Sequence, residues 1–247
     1  LKWNMGWMND TLRYLAEEPV NRRYHHHEVT FSLVYAFSEQ FVLPLSHDEV
    51  VHGKGSLLTK QPGDRWQQLA GLRNLLAYQW SHPGKQLLFM GGELAQDTEW
   101  AEGRSLPWHL LDDPRHAGVH RLVGDLNAFY REHRAMWSLD HSGAGFEWID
   151  SNEADLNVIS FVRKGDDGSM VVVVVNFAGV PHEGYRLALP RGGAWREAIN
   201  TDAEVYGGSG VGNLGVVHTD GTPWKGRPDS VVLRVPPLAT LYLTPEG

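Results

Sequence analysis

The sequence contains no cysteine, so disulfide bonds and thiolate metal sites are excluded. No apolar run approaches the ~20 residues of a membrane-spanning helix, and the valine run from Val171 to Val175 is only as long as a strand. Basic residues are outnumbered, because 22 Lys and Arg against 30 Asp and Glu give a net charge of −8. Nucleic-acid-binding proteins usually carry a basic excess. We therefore expect neither a membrane nor a nucleic acid as a partner.

Tryptophan and histidine are abundant, with 10 and 13 copies. Eleven of the 13 histidines lie at or before His141, whereas 16 of the 27 glycines follow residue 140. This shift in composition predicts two domains, residues 1–140 and residues 141–247. The first residue is Leu1 rather than methionine, so we expect the chain to be a piece of a longer protein.

Residues 1–140 alternate short apolar runs with helical patterns, which is typical of parallel strands joined by crossover helices. Strands are predicted near residues 1–4 and over residues 41–45 and 85–90. Capping residues and apolar periodicity predict four helices. The first helix is capped by Asn9 or Asp10 and closed by Pro19, and the second runs through residues 30–37. The third runs from its cap at Asp64 to the segment His82-Pro83-Gly84, and the fourth covers about residues 117–136.

Residues 141–247 are rich in Val, Thr, Gly and Pro, and turn sequences such as Gly165-Asp166-Asp167-Gly168 separate short apolar runs. This spacing is typical of an antiparallel β-sandwich. Seven strands are predicted, over residues 145–149, 158–163, 170–177, 185–189, 194–199, 230–235 and 240–243.

The strongest local signal is Ser46-His47-Asp48-Glu49, which follows the strand over 41–45 directly and precedes His52-Gly53-Lys54-Gly55. Ligands of parallel α/β sheets bind at the carboxyl ends of strands. The glycines allow the strand to break into a loop, so that His47 and Asp48 can both face a pocket. A solvated loop that begins with a capped turn is the competing interpretation.

Histidine pairs raise the alternative of a metal site. His47 and His52 are five residues apart, not the four that place two ligands on one helix face. In His25-His26-His27-Glu28 the adjacent side chains diverge and cannot easily share one ion. A polar surface with one packed imidazole is therefore favoured over a metal site. The segment from Gly210 to Gly215 matches a dinucleotide-binding pattern but opens no helix, so it is interpreted as a loop.

The tryptophans fall into two groups by position. Those in predicted helices are expected in the core, namely Trp66, Trp80 and Trp137. Others lie near strand ends or in loops, where an exposed indole can stack on the apolar face of a sugar, namely Trp3, Trp7, Trp100 and Trp108. Packing is the default expectation for each of them.

With these residues in view, the sequence resembles the bacterial glycogen branching enzymes of the α-amylase superfamily. The segment from Ser46 to Lys54 is similar to the last conserved motif of that superfamily in its branching-enzyme form. Flanking segments that agree include Lys2 to Met8, Tyr24-His25-His26, Thr30-Phe31-Ser32, His82 to Lys85, Leu87 to Gly91, and Tyr206 to Ser209.

The resemblance implies about strands 6–8 of a (β/α)8 barrel in residues 1–140, followed by an antiparallel β-sandwich in residues 141–247. It implies that Asp48 is the third catalytic carboxylate, a transition-state stabiliser, and that His47 and Glu49 bind substrate. It further implies a cytoplasmic enzyme that acts on glycogen or a linear α-1,4-glucan, with no metal ion or organic cofactor.

A branching enzyme cuts an α-1,4 bond and rejoins the fragment to a 6-hydroxyl with retention of configuration. Retention requires a nucleophilic carboxylate and an acid/base carboxyl about 5 Å apart. In the family these groups come from strands 4 and 5, and neither motif occurs in this sequence. We therefore expect an inactive C-terminal part, whose partner is the missing N-terminal part of the same enzyme.

Two other functions are compatible with the residues. One is a non-catalytic α-glucan-binding module that uses exposed tryptophans and the sandwich. The other is a hydrolase with different His/Asp chemistry, for which Ser46 and Glu49 are the candidate nucleophiles.

The predicted barrel strands have a consequence for stability. Three strands of an eight-stranded barrel leave two open parallel edges and an uncovered apolar face. We therefore expect the free chain to be unstable or to self-associate. A sharp melting transition of a monomer would contradict this expectation.

Overall fold

A three-stranded parallel sheet forms the framework of the first part in the computed structural model, which describes residues 1–247. Its strands are β1 (Lys2–Trp3), β2 (Phe41–Leu45) and β3 (Lys85–Leu88), in the order β1-β2-β3. The three predicted strands are thus present, although β3 ends two residues earlier than predicted. Both strand pairs are parallel, so the carboxyl ends of all three strands lie on the same edge.

Helix α1 (Met5–Ala16) begins earlier than predicted. The Asn4 side chain, directly after β1, accepts a hydrogen bond from the Trp7 backbone N–H at 2.9 Å. The prediction of a cap at Asn9 or Asp10 was therefore wrong, because an acceptor was already available at the end of the strand. The earlier start places Trp7 on the buried face of α1.

The second predicted helix, over 30–37, was also wrong in its bounds. Helix α2 covers only His27–Thr30, and a 3-10 turn continues over Phe31–Val34. The Thr30 hydroxyl does not cap a following helix but donates back to the carbonyls of His26 and His27, at 3.4 and 3.3 Å. It thus belongs to the last turn of α2.

Helix α3 (Arg65–Ser81) begins with the predicted cap at Asp64, whose side chain forms a reciprocal capping box with Gln67. It is buried on nearly every face because it lies between two sheets. Toward the parallel sheet, the Gln79 amide donates to the Leu43 and Leu87 carbonyls at 2.9 and 3.1 Å. Helix α4 (Pro114–Glu132) starts three residues before its predicted start, because Asp113 caps it.

The second part is almost entirely β-structure. A six-stranded sheet has the order β4-β5-β6-β11-β8-β9, and a two-stranded sheet pairs β10 with β7. All seven predicted strands are present, and the short β9 is the one that was not predicted. The strands are β4 (Phe146–Glu153), β5 (Val158–Lys164), β6 (Met170–Asn176), β7 (His182–Leu189), β8 (Ala194–Asn200), β9 (Val216–His218), β10 (Asp229–Val235) and β11 (Ala239–Pro245).

The six-stranded sheet is covered on both faces. Val172 and Val174 of β6 belong to a core with the two-stranded sheet. Alternate residues of the same strand, Val171, Val173 and Val175, belong to a larger core that includes α1, α3 and α4. Side chains alternate between the faces of a strand, so burial on both faces explains the unbroken run of valines.

The predicted boundary at residue 140 coincides with the change from helices to antiparallel strands, but packing is continuous across it. The Tyr242 hydroxyl of β11 donates to the Ala77 carbonyl of α3, and the Tyr242 ring lies 5.2 Å from that of Phe129 in α4. The division into 1–140 and 141–247 therefore stays a prediction about folding units. No helix in the structure is long and apolar enough to span a bilayer.

A buried ionic cluster ties the two parts together near Asp140. The Asp140 carboxylate accepts hydrogen bonds from Arg163 of β5 and, at 2.7 Å, from the Lys85 ammonium of β3. Burial opposes the charge on Lys85, but hydrogen bonds with Asp140 and Tyr130 outweigh it and raise the Lys85 pKa. Arg163 also donates to the carbonyls of Ser81 and Met136 at 2.7 and 3.0 Å. The cluster thereby joins the start of β3 to the sandwich.

His82 lies in the turn between α3 and β3 and is fully buried. Burial lowers its pKa to about 3 against the opposing effect of a hydrogen bond to the Pro83 carbonyl. Its other ring nitrogen lies 3.0 Å from the Ser32 hydroxyl. His82 is therefore neutral near pH 7, and its role is to hold the turn.

Candidate active site

The candidate site begins where β2 ends. Leu45 is buried, and the chain then turns through an extended Ser46 into a 3-10 turn over His47–Glu49. His52 and Gly53 follow with φ angles of 60° and 83°, which bend the loop back toward the sheet. The loop therefore presents its polar residues at the carboxyl edge of the parallel sheet, as the sequence predicted.

His47 and Asp48 lie side by side at this edge. The His47 Nε2 atom is 3.1 Å from Asp48 Oδ1. Their side chains are 51% and 56% exposed, so both reach solvent. Apart from His47, the Asp48 carboxylate has no hydrogen-bonding or ion-pair partner, so it can meet a ligand. An exposed carboxylate beside an imidazole can bind hydroxyl groups and stabilise positive charge.

Glu49 occupies a different environment. Its Oε1 atom pairs with the Lys54 ammonium at 3.2 Å, and its side chain is largely buried. The Lys60 ammonium donates to the Lys54 carbonyl at 2.5 Å. Glu49 therefore holds the loop through Lys54, and its assignment as a substrate-binding residue stays a prediction.

Contacts with the segment after β3 fix the loop. The Trp100 N–H donates to the Val50 carbonyl at 2.9 Å, and the Gly55 N–H donates to Glu99 Oε1 at 2.8 Å. These bonds satisfy backbone groups that a loop would otherwise leave to water. The position of His47 and Asp48 thus depends on residues some fifty positions later in the chain.

An aromatic row lies beside the candidate pair. The Phe89 ring centroid is 5.8 Å from that of His47, and the Trp100 ring packs edge-on against Phe89 at 5.2 Å. Phe89 directly follows β3, and its N–H donates to the Leu45 carbonyl at 2.9 Å. Sequence reasoning missed the contact of Phe89 with His47. The available signal was that Phe89 lies at the end of the predicted strand over 85–90, because adjacent parallel strands end together.

A polar cleft adjoins this row, bounded by the loop from Gln96 to His109. The Arg65 guanidinium pairs with Asp97 at 2.9 Å, and Arg104 donates to the Glu99 carbonyl at 3.2 Å. The cleft shares Trp100 with an apolar pocket beneath the loop. The cleft is concave and polar enough to take a hydroxyl-rich ligand, and Trp100 connects it to Phe89, although neither His47 nor Asp48 lines it.

The tryptophan predictions were right in part. Trp80 is buried and Trp137 packs against the core, but Trp66 is only half-buried. Trp3 and Trp108 are exposed and Trp100 is half-buried. Trp7 is fully buried, as the default expectation of packing predicted. Its ring stacks on Tyr78 at 6.3 Å because α1 starts at Met5.

Two histidines of the run His25-His26-His27 make structural contacts. His26 Nε2 lies 2.8 Å from the Ser151 carbonyl and connects the first part to β4, whereas His25 pairs with Glu28 at 3.3 Å. No group of three or more His, Asp or Glu side chains is arranged to hold a metal ion. The segment from Gly210 to Gly215 is a loop before β9, as interpreted from the sequence. The Ser46 hydroxyl is buried without a hydrogen-bond partner and does not contact the His47 ring as a triad serine would.

Comparison with known proteins links these features to a family. Residues 148–246 match the model for the alpha amylase C-terminal all-beta domain. The whole chain is 57% identical over 250 residues to the 1,4-alpha-glucan branching enzyme GlgB of Rhodococcus jostii, and it covers 34% of that protein. It is 59% identical over 246 residues to the enzyme of the same name from Mycobacterium tuberculosis H37Rv, again covering 34%.

A third relative, the GlgB of Mycolicibacterium paratuberculosis, is 58% identical over 247 residues, with the same 34% covered. The chain thus spans about a third of the length of the curated relatives that it matches. Residues 148–246 are thus similar to the alpha amylase C-terminal all-beta domain, and the chain as a whole is similar to one third of a 1,4-alpha-glucan branching enzyme.

Proposed function

We propose that this chain supplies the transition-state-stabilising part of a retaining α-glucan branching site. Asp48 is the stabilising carboxylate, and His47 is the substrate-binding imidazole beside it. The nucleophilic Asp and the acid/base Glu come from the remainder of the enzyme. The substrate is glycogen or a linear α-1,4-glucan, and the enzyme works in the cytoplasm without a metal ion or organic cofactor.

The observation that carries this proposal is the exposed, otherwise unpaired Asp48 carboxylate at the carboxyl end of β2, the middle strand of the parallel sheet. Catalytic groups of (β/α)8 barrels lie at the carboxyl ends of the strands. The parallel sheet contributes three consecutive strands to such a barrel in this proposal. In the barrel, β1 pairs with strand 5, which brings one of the other carboxyl groups, strand 4 brings the second, and β3 closes the barrel by pairing with strand 1.

Asp48 and His47 act on the sugar whose glycosidic bond breaks. As that bond lengthens, positive charge develops at the anomeric carbon and ring oxygen. Hydrogen bonds from the sugar hydroxyls to Asp48 hold the ring in its distorted form, and the nearby negative charge favours the charged transition state. His47 donates to a further hydroxyl, and Phe89 keeps its ring in place.

The proposal predicts that the chain alone has no branching activity, because the nucleophile and the acid/base carboxyl come from the remainder of the enzyme. A chimera in which this chain replaces the matching third of the Rhodococcus jostii enzyme is expected to branch amylose. Branching is measured by debranching the product and counting the released α-1,6-linked chains.

Two results would contradict the proposal. One is branching by the chain alone that depends on Asp48. The other is a chimera that folds and binds glycogen but forms no branches, whereas the unmodified Rhodococcus enzyme does. The exposed Trp3 and Trp108 favour a second candidate, a non-catalytic glucan-binding module. Tight maltooligosaccharide binding that is unaffected by Asp48→Ala, together with an inactive chimera, would support the module.

A further inference from the structure

A second cleft lies on the sandwich, in the part of the chain that does not contain Asp48. It has a volume of about 450 Å³ and opens between strand β7 and the turn that carries Trp224. Its walls combine the charged residues Glu153, Glu183 and Arg186 with apolar surface from Leu156, Tyr185 and Trp224. Of the two aromatic residues, Tyr185 is buried and Trp224 is exposed, although a tryptophan ring is normally buried by packing.

Trp224 lies in a turn whose backbone is well defined. The residue is 41% exposed. Lys225 and Gly226 have φ angles of 46° and 77°, so a tight two-residue turn joins Trp224 to Arg227. The Trp224 N–H donates to the Arg227 carbonyl at 3.1 Å, and the reverse bond is 2.9 Å long.

Ion pairs fasten this turn to strand β4. The Lys225 ammonium pairs with both Asp150 and Glu153, and the Arg227 guanidinium pairs with Glu147. Three ion pairs with one strand leave the turn little freedom. The indole ring is therefore preorganised, and a ligand that stacks on it has little ordering cost to overcome.

The opposite wall is formed where β7 is irregular. Its pairing with β10 shifts register between Tyr185 and His182, and Gly184 has a φ of 67°. A bulge of this kind redirects the side chains next to it. Glu183 and Arg186 both line the cleft.

These two side chains keep free hydrogen-bonding atoms. Glu183 uses only Oε2, which accepts from Arg234 at 2.6 Å. Arg186 uses only Nη1, which donates to Asp220 at 2.8 Å and to Ser230 at 2.8 Å. Glu183 Oε1 and the Nε and Nη2 groups of Arg186 are therefore available to a ligand.

We propose that this cleft is a second α-glucan-binding site, separate from the site at Asp48. Trp224 stacks on the apolar face of a glucose unit, while Glu183 and Arg186 bind the adjacent hydroxyls of the chain. A carboxylate and a guanidinium together supply the acceptors and donors that vicinal hydroxyls need. The choice of an α-glucan rests on the proposed function, and the role of the cleft is to hold a polymer that the enzyme also processes elsewhere.

The test measures the affinity for glycogen of the chimera that carries this chain, by its retardation in native gels that contain increasing glycogen. We expect Trp224→Ala to weaken binding about tenfold, as loss of a central aromatic contact does. Glu183→Gln, at an exposed position that cannot disturb the core, is expected to weaken it less but measurably. Leu214→Ala, on an exposed loop of the sandwich, is the control and is expected to change nothing.

The double variant Asp48→Asn/Trp224→Ala separates this proposal from the proposed function, because losses of glycogen affinity at two independent sites are expected to add. The proposal is overturned if Trp224→Ala keeps wild-type affinity together with a wild-type unfolding midpoint. It is also overturned if the double variant binds glycogen no more weakly than Asp48→Asn alone. Neither result bears on branching by the chimera, so failure of the cleft and failure of the proposed function remain distinguishable.

Discussion

Asp48→Asn, in the chimera that carries this chain, is expected to lower the branching rate about 10²- to 10³-fold, which corresponds to roughly 2.7–4 kcal/mol of transition-state stabilisation. Asparagine keeps the shape of the side chain but removes its negative charge and replaces one acceptor oxygen with an NH2 donor. The loss therefore reports the charge of Asp48 together with one of its two acceptor oxygens. Initial rates on amylose measure it.

The same substitution is expected to leave stability nearly unchanged. The Asp48 side chain is half-exposed and touches only His47, and substitutions at such positions usually alter the unfolding free energy by less than about 0.5 kcal/mol. Asp155→Asn, at an exposed position in the turn before β5, is the matched control and is expected to keep full activity. A branching rate that Asp48→Asn leaves intact would remove Asp48 from the catalytic machinery.

Asp140→Ala is expected to lower the unfolding free energy of the chain by about 3–5 kcal/mol. Arg163 is only 1% exposed, so it cannot turn to water when its carboxylate partner is removed. Lys85 loses its ion pair at the same time. Urea unfolding at low protein concentration, followed by tryptophan fluorescence, measures the change.

A second Asp–Arg pair provides the control. Asp166 and Arg134 pair on the surface with side chains 44% and 45% exposed, so Asp166→Ala is expected to cost no more than about 1 kcal/mol. The double variant Asp140→Leu/Arg163→Met is expected to recover much of the loss, because it leaves no buried charge. Equal effects of Asp140→Ala and Asp166→Ala would contradict the buried cluster.

Much of the local structure could be predicted because its causes lie within a few residues. The capping box of Asp64 and Gln67 and the apolar spacing of α3 are both complete within one segment. Errors arose where two caps competed, as when Asn4 rather than Asn9 started α1. The position of His47 and Asp48 at a strand end followed from the buried run Phe41–Leu45 and the polar residues after it.

The parts of the site that involve distant residues could not be predicted in the same way. Phe89 beside His47 and Trp100 bonded to Val50 depend on β2 and β3 ending together. The cleft at Trp224 depends on a turn fastened to β4, which lies more than seventy residues earlier. Nothing in the local pattern around Trp224 indicates those partners.

The sequence by itself determined the order of strands and helices, the polar loop after β2 and the resemblance to branching enzymes, since each is written in adjacent residues. Only the tertiary structure decided which surfaces meet. It placed Val171 and Val172 in different cores, buried Arg163 against Asp140, and left Asp48 and Trp224 open to solvent. The physical reason is that burial and ion pairing depend on contacts between segments far apart in the chain, which local periodicity does not encode.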